Sequence, residues 1–116
     1  MIVRKKDYPE EIRKNMRGGD GEVSIIDLMP VEYANKKCRL FAKITLKNGC
    51  SIGLHSHVKE VETYYIISGN GIAYDDEGTE ISLDPGDGMY TGFGAGHSIK
   101  NPGSEDLVFI ALILLD

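Results

Sequence analysis

The stretch GLHSHVKEVETYY, residues 53–65, holds two of the three histidines of this 116-residue chain. The third, His97, lies in PGDGMYTGFGAGHSIKN, residues 85–101, so every imidazole sits in one of two short runs. His55 and His57 are two apart, which on a strand points both side chains to the same side. Glu62 comes five residues after His57 and breaks that parity, but the intervening VKEV can turn the chain so that Glu62 opens the next strand and faces back toward the pair. Neutral imidazoles and a carboxylate are the usual protein ligands of zinc, manganese, iron, nickel and copper. Each piece alone has a plainer reading: an H-x-H also occurs on an exposed strand edge, and a lone inward histidine is commonly a satisfied core group. The conjunction is what points to a metal, and it requires His97 to arrive from a distant strand, as it can where the inward residues of a barrel converge.

Outward from this stretch the chain reads as short strands. In CRLFAKITLK, residues 38–47, Cys38, Leu40, Ala42, Ile44 and Leu46 alternate with Arg39, Phe41, Lys43, Thr45 and Lys47, the period of a strand with one buried face. Asn48-Gly49 follows as a hairpin-type turn. SIGLHSH continues the alternation, predicting Ile52 and Leu54 on one face and His55 and His57 on the other. ETYYIIS, GIAYDD, TEISL, GMYT and HSIKN are further strands, separated by turns rich in Gly, Pro and Asp, the pattern of an all-β sandwich or barrel. Helix is predicted only at PEEIRKNMR, with Pro9 at a first helical position, acids early and bases late, and a second short turn in PVEYANKK. The last strand, LVFIALILL at 107–115, is apolar on both faces and must be covered twice. The expectation is a homodimer using this strand; the alternative is that the N-terminal segment folds over it.

Length suits a single domain with one core. The chain has no apolar run of about 18 or more residues, and MIVRKKDYPEE lacks the apolar core of a signal peptide, so a soluble, cytoplasmic protein without a membrane partner is expected. Cys38 and Cys50 are too few for a disulfide framework and read as packing residues, with ligation at Cys50 the competing reading because it precedes His55 by five. The net charge of −5 gives no help to phosphate-backbone binding, and acids interrupt the Arg4, Lys5, Lys6 cluster, so no nucleic-acid partner is expected. Residues 1–47 carry 11 basic and 7 acidic side chains, residues 48–116 carry 2 and 11, which reads as a solvated surface with complementary halves.

The spacing Gly49, five residues, His55-x-His57, four residues, Glu62, six residues, Gly69 resembles the first cupin motif at every position. Gly86, five residues, Gly92-x-Gly94, two residues, His97, three residues, Asn101 resembles the second, with Gly92 standing where the family usually has proline. The resemblance implies a single small cupin domain over 1–116, with motifs at 49–69 and 86–101 and an N-terminal extension of about 1–21; whether the first seventeen residues cover the pocket is left open by the sequence. Its fold would be a double-stranded β-helix, a jelly-roll barrel, with a short N-terminal helix. His55, His57, Glu62 and His97 look like the ligands of one divalent ion, Mn, Fe, Ni, Cu or Zn. Two open positions would then take a bidentate small molecule.

Fold does not settle function. The first expectation is a metalloenzyme on a small carboxylate or related metabolite, by oxalate- or ketoacid-type decarboxylation, oxidation or isomerisation. The alternative is a non-catalytic binding or sensor cupin. Tyr64 shares the parity of Glu62 and is the candidate catalytic hydroxyl, with core packing as its competing reading; Tyr65 points away. Arg39 or Lys43 would meet a substrate carboxylate only if their strand face turned inward, and Lys100 alternates away from His97.

Overall fold

The period-two pattern of 38–47 becomes one strand of the larger of two sheets. The computed structural model describes residues 1–116 as ten strands: β1 (Glu10–Lys14), β2 (Glu22–Asp27), β3 (Cys38–Leu46), β4 (Ser51–Ser56), β5 (Glu60–Ser68), β6 (Gly71–Asp75), β7 (Glu80–Leu83), β8 (Gly88–Gly92), β9 (Gly96–Lys100) and β10 (Leu107–Leu115). They form a six-stranded sheet, β1-β2-β3-β10-β5-β8, and a four-stranded sheet, β4-β9-β6-β7, with every pairing antiparallel. This is the jelly-roll of a double-stranded β-helix. Buried residues of β2, β3 and β10 meet Ile52, Ala73 and Ile99 of the smaller sheet in one apolar cluster. The Asn48-Gly49 turn does not close a hairpin: β3 pairs with β2 and β10, while β4 crosses to the other sheet and pairs with β9.

The double-sided apolar pattern of 107–115 follows from position. β10 lies between β3 and β5, with Leu107, Phe109, Ala111 and Ile113 buried in the core. On its outer face Val108, Ile110 and Leu112 are half-buried, flanked by Phe41 opposite Leu112 and Tyr65 opposite Ile110. The N-terminal segment is instead almost wholly exposed over residues 1–14, and β1 lies at the sheet edge, separated from β10 by β2 and β3.

The helix expected at PEEIRKNMR is not formed. Residues 10–14 are strand β1, the outer edge of the large sheet, and only a single 3-10 turn, Met16–Gly18, follows. Capping residues and charge order suit a helix, but the segment has no apolar stripe to bury, and pairing of Glu10–Lys14 with β2 satisfies its backbone instead. Residues 22–27, which carry no strong signal in the sequence, supply that partner. PVEYANKK does contain a short 3-10 turn, Val31–Ala34. No helix is long and apolar enough to cross a membrane.

Two bulges re-aim side chains toward the barrel interior. On β4, Ile52 pairs with Ile99 and His55 with His97, so three steps on one strand face two on the other. The extra residue shifts the parity that the sequence implied: Ile52 and His57 are buried together while Leu54 is 59% exposed. On β3, Leu40 pairs with Ile113 and Cys38 with Leu114, leaving Arg39 unpaired.

Candidate metal centre

Four donors meet inside the barrel because both sheets contribute. The four-stranded sheet brings His55 on β4, His57 just beyond it, and His97 on β9 directly opposite His55. The six-stranded sheet brings Glu62, whose inward face on β5 continues through Tyr64 and Ile66. The reversal between His57 and Glu62 is made at Lys59, which has φ of 59°. His57 is clamped to the loop before His97, donating its N–H to the Ala95 carbonyl at 3.1 Å and accepting from the Gly94 N–H at 2.9 Å. Gly92, which stands in place of the family's usual proline, packs closely on β5: a Cβ there would lie 2.7 Å from Val61 Cγ2, so the Val61 side chain would have to shift. Asn101 at the end of the second motif is structural, donating from Nδ2 to the carbonyls of Leu46 at 2.8 Å and Glu105 at 2.7 Å.

The donor atoms of His55, His57, Glu62 and His97 lie within 4.8 Å of one another, and His57, Glu62 and His97 are buried. Glu62 Oε1 is 2.9 Å from Nε2 of His57 and of His97 and 3.8 Å from Nε2 of His55. Nε2 of His97 is 3.1 Å from that of His57 and 3.2 Å from that of His55. The opposite ring nitrogens are occupied: His55 Nδ1 donates to the Gly53 carbonyl at 2.8 Å and His57 Nδ1 donates to Glu60 Oε1 at 2.7 Å. Both partners only accept, so the neutral rings carry their proton on Nδ1 and turn the Nε2 lone pair inward. His97 Nδ1 meets the Thr91 hydroxyl at 3.1 Å, which permits the same tautomer. The result is a knot of acceptors around Glu62 Oε1, a buried oxygen without a hydrogen-bond partner. Such a concentration of lone pairs is costly unless a cation neutralises it. Most of the separations match the edges of about 3.0 Å expected between neighbouring donors in an octahedral shell with bonds of about 2.1 Å. The four residues therefore could hold a metal ion, and the residues present fit one.

Glu60, which the sequence alone does not single out, completes this arrangement. It accepts from Arg39 through two bonds, Nη2 to Oε1 at 2.7 Å and Nε to Oε2 at 2.9 Å, while also holding His57. The bulge at Arg39 turns that side chain toward Glu60. The available signal was the position of Glu60 within the four-residue gap of the first motif. Arg13, Arg17 and Arg39 reach a cavity of about 120 Å³ that is also bounded by His55, His57 and Glu62. A larger surface hollow of about 500 Å³ shares only Arg39 with it and contains none of the four donors. Tyr64 is buried, its ring stacked on His97 with centroids 4.9 Å apart at 17°. Tyr65 is 52% exposed. Lys43 lies on the outer face, Lys100 sits over the Tyr74 ring at 5.2 Å, and neither cysteine belongs to the donor cluster.

The electrostatics follow from burial and pairing. The Arg39 guanidinium, assisted by His57 and opposed by burial, holds Glu60 at about 2. Burial pushes Glu62 upward, and protons on the facing nitrogens of His55 and His97, once those rings carry them, pull it down to about 2. Burial lowers His97 below the usual histidine range despite Glu62, and raises the Tyr64 phenol well above its ordinary value, with the charge of Glu62 adding to the rise. The shifts of His97, Glu60 and Glu62 act on stability with one sign. The unfolded chain takes up protons first at His97, from about 6.5 downward, and at the carboxylates, from about 4.5 downward. Stability of the metal-free protein is expected to decline as pH falls below about 6.5 and more steeply between about 4.5 and 2. Thermal midpoints across this range check it; a midpoint that stays level down to pH about 3 contradicts the assignment.

Known proteins share this barrel, and some of them are similar in sequence as well. A relative named "Oxalate-binding protein" from Thermotoga maritima is 44% identical over 115 residues, covering 99% of this chain and 94% of that protein. The crystal structure of a predicted oxalate decarboxylase from Thermotoga maritima superposes with a TM-score of 0.94 at 43% identity, each chain covered completely. A polyketide cyclase from Streptomyces resistomycificus shares the fold alone, with a TM-score of 0.82 at 16% identity over 100% of this chain and 80% of that one. The family described as "Cupin domain" matches residues 42–113, a span that includes both motifs and all four donor residues. With that match across more than half of its length, and with the two-sheet barrel that carries it, the chain belongs to the cupin family.

Proposed function

We propose that His55, His57, Glu62 and His97 hold one divalent transition-metal ion and that the protein captures a small carboxylate on it, oxalate or a compact ketoacid. The observation that carries this reading is the donor cluster itself, four converging groups around an unpartnered carboxylate oxygen, three of which also line a cavity of about 120 Å³. That volume holds about four waters at roughly 30 Å³ each, or one molecule of oxalate size, and is small beside the pockets of larger metabolites. The oxalate-binding name of the Thermotoga maritima relative supports the same ligand class. A divalent ion bound there supplies positive charge and open positions for two ligand oxygens, and stabilises negative charge that develops on them.

The chain's own residues then divide the work. Gly53 and Glu60 fix the tautomers of His55 and His57, and Arg39 keeps Glu60 in place. Tyr64, beside Glu62, is the candidate catalytic residue: a buried phenol that stays protonated and can donate a hydrogen bond to a bound ligand. The enzyme reading assigns it to decarboxylation, oxidation or isomerisation of the carboxylate. The binding or sensor reading is favoured by a separate observation: Glu60 is committed to Arg39 and His57, so its carboxylate is not free to serve as an acid.

Calorimetry and product analysis with oxalate and ketoacids, with and without a chelator, separate these outcomes. Chelator-sensitive binding of oxalate is the expected result. Product that falls at least about tenfold in Tyr64→Phe, with metal retained, assigns catalysis to this phenol. Heat without product assigns a binding module, and neither heat nor product removes the proposal.

The partner proposed for the outer sheet face is a second copy of the chain. Ile110 and Leu112 lie there between Phe41 and Tyr65, with Ile67 48% and Tyr90 84% exposed on the same sheet. An apolar face of this kind is a self-complementary surface for a twofold dimer. Ile110→Asp is expected to shift the solution mass from dimer to monomer or to cause aggregation, and an unchanged dimer mass in light scattering would count against this interface.

A further inference from the structure

Arg17 combines an uncommon backbone with an uncommitted charge. Its φ of 54° and ψ of 30° lie in the left-handed region inside the turn Met16–Gly18, a conformation that long side chains seldom adopt. Backbone-to-backbone packing holds the turn in place. A Cβ at Gly53 would lie 2.1 Å from the Arg17 carbonyl oxygen, and one at Gly19 would lie 2.3 Å from that of Ser51. Asp20 N–H donates to Ser51 Oγ at 2.8 Å, and Ser51 N–H donates to the Asp20 carbonyl at 2.8 Å. The turn is thus fastened to β4 only two residues before His55, and from it Arg17 reaches the cavity bounded by the metal donors.

Two other arginines reach the same cavity, but each is engaged. Arg13 Nε pairs with Glu11 at 2.8 Å, and Arg39 is locked to Glu60 by two bonds of 2.7 and 2.9 Å. The Arg17 guanidinium has no ion pair or side-chain hydrogen bond, although its charge acts on the buried Tyr64 hydroxyl. Arg17 is an exposed residue that lines this small cavity together with His55, His57 and Glu62, and a guanidinium so placed offers a fork of donors to an anion bound beside them. The turn that carries it precedes residues 42–113, so it lies outside the region that identifies the family.

We propose that Arg17 is the specificity-determining residue of the cavity, receiving the carboxylate oxygens that face away from the four donors and so selecting oxalate-sized dianions over monocarboxylates. This rests on the reading of the cavity as a metal-dependent carboxylate site. The cavity of about 120 Å³, lined by Arg17 and by three of the four donors, has room for little more than one oxalate-sized anion.

The test titrates oxalate and acetate into the zinc-loaded full chain by calorimetry, with zinc content measured in parallel, for the parent, Arg17→Asn and Arg17→Lys. Asparagine tolerates the left-handed backbone, so the turn is kept while the charge is lost. Lysine keeps the charge without the planar fork. The expected result is oxalate binding weakened about 10–100-fold in the Asn variant and by an intermediate factor in the Lys variant, with acetate affinity within about twofold and zinc unchanged. If Arg17→Asn loses zinc, Arg17→Gly, which favours positive φ, takes its place in the same titration. Parent-like oxalate affinity in the charge-removed variant overturns the role of Arg17 while leaving the carboxylate site standing. Equal losses for oxalate and acetate overturn the selectivity. A zinc-loaded parent that binds no oxalate overturns the carboxylate reading itself, and this inference with it.

Discussion

His57→Ala is expected to leave the protein folded but without metal. The His57 side chain is 1% exposed, its Nε2 stands 2.9 Å from Glu62 and its Nδ1 is bonded to Glu60, so no neighbouring group can move in to replace it. Removing an outer carboxylate that orients a metal-bound histidine typically costs about 10–100-fold in metal affinity. Glu60→Gln is expected to fall in that range, and loss of the imidazole itself to exceed it. The fold should survive because the donors are surplus acceptors in the metal-free barrel, where one fewer lone pair relieves crowding around Glu62 Oε1. Elemental analysis and thermal melting of both variants check this together. Full metal retention in His57→Ala sinks the ligand assignment. Unchanged affinity in Glu60→Gln shows that Arg39 and Glu60 do not tune the site.

Phe109→Ala is expected to destabilise the barrel severely. Phe109 is fully buried at the centre of β10, its ring centroid 4.7 Å from that of Tyr64, which in turn stacks on His97. Deleting a fully buried phenyl ring costs about 3–5 kcal/mol in transfer and cavity terms. For a domain of this size that corresponds to a fall in Tm of about 10–20 °C. Tyr64 would lose its support on one side, so a smaller loss of metal affinity through His97 should accompany the loss of stability. A fall in Tm of less than about 4 °C would show that the two sheets close over the gap.

Much of the barrel is legible in the sequence because its signals are local. Alternation over 38–47 correctly separates Ala42, Ile44 and Leu46 from Lys43 and Thr45, and the parity of β5 correctly puts Glu62 and Tyr64 inside and Tyr65 outside. The motif spacings bring out the four donors that the structure gathers into one cluster. Local signals fail where a partner strand decides the outcome. Glu10–Lys14 has helix-like ends yet becomes an edge strand because β2 offers backbone partners. Alternation places Leu54 beside Ile52, but the bulge before His55 puts it in solvent.

The sequence by itself determined the strand periodicity, the family and the identity of the four candidate ligands, since each depends on residue type at a fixed spacing along one chain. Only the tertiary structure decided which groups surround those ligands. Arg39 reaches Glu60 through a bulge set by its pairing with β10, and Arg17 reaches the cavity because two glycines let its turn press against β4. Bulges and close backbone approaches arise from how strands meet, and pairing across the barrel leaves no periodic trace in the residues that it brings together.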